Sequence, residues 1–293
     1  MNIAFCINRV ALIGLGATVS SLIRNSSDSG KLSIFFLCNF LEDNDKDNIQ
    51  KLLNEEYFKG HSFFIDFDPL VSFGELRSLH GDWTAYGRLL IAELITTDTV
   101  LYLDADLIVE IDVLEYQEFD FKGSALAAVC GITLKHALDN PFLHGRLGIP
   151  LESRYFNSGV LLMNLKLWRI NNYKEQCLAI ARKYPGELTS HDQTLLNAVF
   201  NDTVIELPKA MNSAWYALKN RPTTADKMIL HYLGSPKPWD IGGSFLHKGY
   251  HTWFSYLNKS WNKLYGKTTQ EGIVRAWKIR RSYFRLIKAK IKS

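Results

Sequence analysis

The chain has 293 residues, 47% of them hydrophobic, enough to bury the core of one large α/β domain or two small ones, and disorder is excluded as its main state. Its formal charge of +4 is local: residues 271–293 hold eight Lys/Arg against the single acid Glu271, while the rest is net acidic. A body of that charge is not a general nucleic-acid binder, so no nucleic-acid partner is expected.

Cys6, Cys38, Cys130 and Cys177 lie far apart, mostly in apolar surroundings, without CxxC or Cys/His spacing. They read as core thiols in a reducing compartment rather than as zinc ligands or disulfides. "MNIAFCINRV" has no basic stretch before its short apolar run, which argues against a signal peptide. No apolar span approaches the roughly 20 residues of a membrane helix. The expectation is a cytoplasmic protein.

Short β-rich apolar runs alternate with helical patterns. "NIAFCI" precedes a helix near 14–25, "LSIFFLC" a helix at 43–57, and "SFFIDF" a helix around 84–96 that leads into "TVLYLD". This alternation predicts βαβ units and a parallel sheet covered on both faces, with ligands at the carboxyl ends of its strands. Further strands are predicted at "ALAAVC" (125–130), "YFNSGVLLMN" (155–164) and "KMILHYL", and helices near 172–184 and 190–200. No repeat or Gly/Pro/Ser-rich linker divides the chain. One catalytic-sized domain is expected over residues 1–250, then a basic, amphipathic helical tail at 251–293.

In "VLYLDADL" a buried strand leaves the core at Asp104 and Asp106, whose side chains share one side at a strand's spacing of two. Two ionised carboxylates so close raise each other's pKa unless a cation lies between them. A hard divalent ion, Mn²⁺ or Mg²⁺, supplies that charge and keeps positions open for phosphate oxygens. The plainer alternative is a solvated turn, since Asp-x-Asp alone is common.

Two further stretches place polar residues after apolar runs. In "HYLGSPKPWD", His231 offers a third metal ligand, and Lys237 with the Gly234 backbone suits a phosphate. In "GDWTAYGRLLIAEL", Tyr86 and Arg88 stand at the start of a helix, where a stacking ring and an anion-binding fork suit a nucleotide. Taken singly, a structural turn and a packed aromatic with a surface charge are the commoner explanations of these residues.

In order, "AYGRLLIAELI", "VLYLDADLIV", "FNSGVLLMNLKLW", "HDQTLLNAVF" and "HYLGSPKPW" resemble glycosyltransferase family 8, especially the bacterial lipopolysaccharide galactosyl- and glucosyltransferases, over residues 1 to about 245. The resemblance implies a GT-A fold, that is, a single Rossmann-like mixed sheet flanked by helices. It also implies retaining transfer of galactose or glucose from a UDP-hexose, with Mn²⁺ or Mg²⁺ as cofactor. Asp104, Asp106 and His231 match the family's metal ligands, with Asp104 also near the ribose. Gly234 and Lys237 match its diphosphate contacts, Tyr86 and Arg88 its nucleotide contacts. Asn157, Asp192 and Gln193 match the wall around the donor sugar, Gln193 lying nearest the anomeric carbon and Asp192 being the alternative nucleophile.

Two positions depart from that pattern. The family often ends its first strand in an acid, where this chain has Asn8, an amide able to hydrogen-bond a uracil edge. After "ALAAV" the family commonly has an Asp that touches a donor hydroxyl, and Gly131 stands near that place.

Across the tail, Ile273, Trp277, Phe284, Ile287 and Ile291 recur at helical spacing among Arg and Lys. Such a helix either packs on the domain or lies on an anionic membrane. The membrane reading places the protein at the inner membrane as a peripheral enzyme, with a lipopolysaccharide or lipid-linked oligosaccharide acceptor. Two other classes are weighed against the transferase. One is a non-catalytic nucleotide-sugar binder; the other is an Asp-based phosphoryl-transfer enzyme, against which Ile108 and "HYLGSPKPW" both count.

Overall fold

A computed structural model describes residues 1–79 and 81–291; Lys292 of the basic tail lies outside the described residues. Along the chain, β1 (Asn2–Ile7), β2 (Ser33–Cys38), β3 (His61–Asp66) and β4 (Thr99–Leu103) are followed by β5 (Leu107–Val109), β6 (Leu126–Ala128) and β7 (Ile132–Thr133). Then come β8 (Arg154–Tyr155), β9 (Val160–Asn164), β10 (Ile205–Glu206), β11 (Ser213–Tyr216) and β12 (Ile229–Leu233). Seven of these form the central sheet in the order β10-β6-β9-β4-β1-β2-β3.

The strands β1 to β4 pair in parallel, as the alternation with helices requires, and β1 and β4 are almost wholly buried because helices cover both faces. β9 departs from the parallel expectation, running antiparallel to β4 and β6. The stretch 155–164 is accordingly not one strand: Tyr155 ends β8, and the loop Phe156–Gly159 intervenes before Val160 opens β9. That reversal brings "FNSG" beside the carboxyl end of β4, where the Asp104 N–H donates to the Gly159 carbonyl at 2.8 Å.

Beside the central sheet stands a small sheet of order β11-β12-β5, in which His231 pairs with Leu107. Asp104–Asp106 is therefore the corner where the chain leaves one sheet for the other. The buried Thr18 hydroxyl, on the helix Leu12–Asn25, pins that corner by accepting from Leu107 N–H (3.1 Å) and donating to its carbonyl (2.8 Å).

Residues 84–96 form a 3₁₀ helix, Thr84–Leu89, and a single α turn, Ile91–Leu94, rather than one amphipathic helix. Thr84, Tyr86, Gly87, Arg88 and Leu89 are all buried, so most of the 3₁₀ helix lies inside the protein. After residue 250, Tyr250–Tyr256 and Lys259–Tyr265 pack on the body through Trp253 and Trp261, the latter donating from Nε1 to the Leu12 carbonyl at 2.9 Å. The tail proper is two helices, Gln270–Lys278 and Arg280–Ile291, broken at the buried Ile279.

Candidate active site

Asp104, Asp106 and His231 converge as the sequence predicts: one ligand atom from each lies within 4.8 Å of the others. His231 Nε2 is 3.2 Å from Asp106 Oδ1 and 3.8 Å from Asp104 Oδ2. Gly159 makes this approach possible, because a Cβ there would stand 2.2 Å from His231 Cε1 and 2.7 Å from Asp104 Oδ2.

The protonation of His231 follows from the hydrogen bonds around it. The Gly159 N–H can only donate, and it reaches Asn157 Oδ1 at 3.0 Å. Asn212 Nδ2 then donates to the same oxygen at 3.0 Å, which turns Asn212 Oδ1 toward His231 Nδ1 at 2.9 Å. Nδ1 therefore carries a proton, and Nε2 is the ring nitrogen turned toward the carboxylates. Asp106 Oδ1 is buried and has no hydrogen-bond partner among the described residues. His231 Nε2 and Asp106 Oδ1 face each other at 3.2 Å, with Asp104 beside them. Two carboxylates and one imidazole form the donor set of a hard or borderline divalent ion, so these residues fit such a metal.

Asp106 Oδ2 accepts from Lys237 Nζ at 2.6 Å, and the same ammonium reaches the Tyr232 carbonyl. Burial raises the pKa of Asp106, and Lys237 together with His231 more than offsets this, holding the carboxyl well below its usual range. Gly234, at φ 75°, sits in the left-handed region that favours glycine and forms the turn between His231 and Lys237.

Arg88 is buried and joins two acids. Its Nη2 donates to Asp104 Oδ1 at 3.1 Å, its Nε lies 3.0 Å from Asp192 Oδ2, and its Nη1 reaches the Ser158 carbonyl. The guanidinium lies over the Tyr102 ring, whose hydroxyl donates to Asp104 Oδ1 at 2.6 Å. Burial pushes the Asp192 carboxyl up, Asp104 adds to this, and Arg88 opposes it. Asp192 and Gln193 follow His191, whose φ of 58° is a strained value for a non-glycine residue. Gln193 Oε1 accepts from Asn157 Nδ2 (2.9 Å) and Ser158 N–H (3.1 Å), while its Nε2 donates to the Tyr155 hydroxyl at 2.7 Å. Tyr155 in turn donates to the buried Asp139, which also accepts from Thr194 and Ser190.

A family model described as glycosyl transferase family 8 matches residues 2–241. The chain belongs to glycosyltransferase family 8. It is 26% identical over 257 residues to the lipopolysaccharide 1,3-galactosyltransferase of Salmonella typhimurium, covering 83% of this chain and 74% of that protein. It is 25% identical to the lipopolysaccharide 1,2-glucosyltransferase of Escherichia coli (82% of this chain, 72% of that protein), and 23% identical to general stress protein A of Bacillus subtilis (90% and 96%). Among solved structures, galactosyltransferase LgtC in complex with donor and acceptor sugar analogs superposes with a TM-score of 0.74 at 22% identity, over 90% of this chain and 99% of that one. The GT-A fold expected from the sequence is therefore the fold of this chain.

The remaining residues singled out in the sequence of this family 8 member are placed as follows. Tyr86 is buried, stacks on Phe73 and donates from its hydroxyl to the Arg77 carbonyl. Asn8 caps the turn Arg9–Ala11 by accepting from Ala11 N–H (3.0 Å), and it donates to Asp82 at 2.7 Å. Gly131 is exposed with open space around it. Sequence reasoning missed Tyr155, Ser158, Gly159 and Asn212. "FNSG" carried a signal for the second and third, since a glycine beside Asn157 marks a close approach. Asn212 lies in "AMNSAW", which has no distinguishing pattern.

Proposed function

We propose that this chain is a metal-dependent, retaining hexosyltransferase that moves galactose or glucose from a UDP-sugar to a lipopolysaccharide or lipid-linked oligosaccharide acceptor. The observation that carries the reading is the convergence of His231 Nε2, Asp106 Oδ1 and Asp104 at the carboxyl end of β4. A divalent ion held by these three residues supplies Lewis-acid stabilisation of the diphosphate. The bond between the anomeric carbon and the diphosphate oxygen breaks with its electron pair left on that oxygen. Lys237, half-buried next to Asp106, and the Gly234 backbone stand where this growing negative charge is stabilised.

Retention requires either a covalent intermediate or attack from the leaving-group face. Gln193 Oε1 already accepts two hydrogen bonds, and Asp192 is tied to Arg88 and Ser158. Neither is a free nucleophile, which supports front-face attack by the acceptor hydroxyl, with its proton passing to the departing phosphate. Arg88 acts through Asp104 and Asp192, holding a metal ligand and the sugar wall in one register.

In the tail, Ile273, Trp277, Phe284 and Ile291 are exposed on helices rich in Arg and Lys. No helix among the described residues is long and apolar enough to cross a membrane. The reading is that the tail rests on an anionic inner-membrane surface, each nearby cation contributing about 1 kcal/mol.

Purified protein incubated with Mn²⁺ and UDP-galactose or UDP-glucose is expected to release UDP, to stop with EDTA, and to lose at least ~100-fold in Asp106→Asn. Metal-dependent UDP binding without release, even with acceptor added, would leave a non-catalytic binder. Failure to bind UDP at all sinks the reading. Sedimentation with vesicles containing an anionic lipid, against neutral vesicles, tests the tail.

A further inference from the structure

We propose that Arg275, in the tail helix Gln270–Lys278 beyond the part of the chain that matches the family, is a positioning residue for the phosphate-binding turn at Lys237. The proposal rests on the reading of Lys237 and Gly234 as contacts of the donor diphosphate. Asp240 closes that turn: its Oδ2 accepts from the Lys237 main-chain N–H at 2.7 Å, and its own N–H donates to the Lys237 carbonyl at 3.1 Å. The Asp240 side chain is only 6% exposed, so its charge needs a partner.

That partner comes from the tail. Arg275 Nε donates to Asp240 Oδ1 at 2.6 Å and Nη2 to Oδ2 at 3.1 Å, a two-pronged pairing that fixes the plane of the carboxylate. The tail docks on the same segment at two more points, Tyr283 Oη donating to the Ile241 carbonyl (2.6 Å) and Lys290 Nζ to the Phe245 carbonyl (2.5 Å). Removing Arg275 leaves a nearly buried carboxylate three residues from Lys237. Without that fork the plane of the Asp240 carboxylate is no longer fixed, and the bond it accepts from the Lys237 main-chain N–H loosens. The turn carrying Lys237 is then less firmly held while Gln193, Asn157 and Asp192 are untouched, so the loss falls on donor binding.

The test compares wild type, Arg275→Ala, Arg275→Lys and Arg275→Ala with Asp240→Asn. Three readouts are taken: calorimetric binding of UDP with Mn²⁺, KM and kcat for the donor, and amide exchange over residues 234–242. The expectation for Arg275→Ala is UDP binding weakened about tenfold, donor KM raised by a like factor, kcat within about twofold, and faster exchange at 234–242. Lys restores part of the binding, and Asp240→Asn in the alanine background restores part by removing the orphaned charge. An Arg275→Ala protein that binds UDP like wild type, or that loses kcat at unchanged KM, overturns the latch. A wild type that binds no UDP overturns the proposed function instead, and the latch's role in donor binding with it.

Discussion

Replacing Asn212 with Ala tests the deduced protonation of His231 directly. Asn212 Oδ1 accepts from Nδ1 at 2.9 Å, so its removal leaves a nearly buried imidazole N–H unpaired and frees the ring to rotate or change tautomer. Partners of this kind are worth 10–100-fold in metal affinity, roughly 1.4–2.7 kcal/mol. Asn212→Asp is the informative companion. Its carboxylate still accepts from Nδ1, but it can no longer donate to Asn157 Oδ1, which keeps only the Gly159 N–H. Titration of Mn²⁺ followed by electron paramagnetic resonance is expected to show Asn212→Ala weakened by that factor. Asn212→Asp should bind within about threefold of wild type, with its defect appearing in transfer rate through Asn157 and Gln193. A folded Asn212→Ala protein with wild-type Mn²⁺ affinity refutes the view that the Asn212 bond to Nδ1 holds Nε2 toward the acids.

Two other perturbations have definite signs. In Gly159→Ala, the new Cβ would lie 2.2 Å from His231 Cε1, so about 1 Å of displacement is forced on a metal ligand; a loss of ~100-fold in UDP release is expected, with melting temperature falling only a few degrees, and unchanged release would show that the loop yields freely. His247 is buried against Trp215 and Tyr232, and its Nδ1 accepts from the Gly249 N–H. Burial, aided by Lys237, pushes it down from 6.5 to about 4, so the stability it contributes is present above pH 6.5 and lost as pH falls through 4. That loss is about 3 kcal/mol. His247→Asn keeps an acceptor for Gly249 and should unfold in denaturant with a flatter dependence over this range, and equal slopes for the two proteins would contradict it.

The parallel half of the sheet was legible because both its faces are buried, which makes β1, β2 and β4 continuous apolar runs. The grouping of Asp104, Asp106 and His231 was legible because hard-ion chemistry restricts residue type, and two of the three sit two positions apart. The antiparallel entry of β9 was not legible. "FNSG" reads as strand by composition, and only the pairing of Leu103 with Val160 shows why it must be a loop. Tyr86 and Arg88 were expected to face a ligand, and their burial follows from a 3₁₀ helix packed between β1 and the site, a contact between distant segments that no local pattern encodes. The split of the tail at Ile279 has the same origin, since a buried apolar residue there draws the chain onto the body.

The polar network of the site has a direction, and two adjacent backbone groups set it. Amide side chains can be turned either way, but a main-chain N–H can only donate. Gly159 N–H fixes Asn157 Oδ1, hence Asn212, hence the His231 ring, with Nδ1 donating and Nε2 turned toward the acids. Ser158 N–H fixes Gln193 Oε1, hence Gln193 Nε2 toward Tyr155 and the Tyr155 proton toward Asp139. The two chains meet at the bond from Asn157 Nδ2 to Gln193 Oε1 and agree there, each independently requiring the same orientation. One loop backbone therefore orients both His231 and Gln193. The antiparallel pairing of β9 with β4 places that loop, which makes the register of a central strand part of the chemistry of the site.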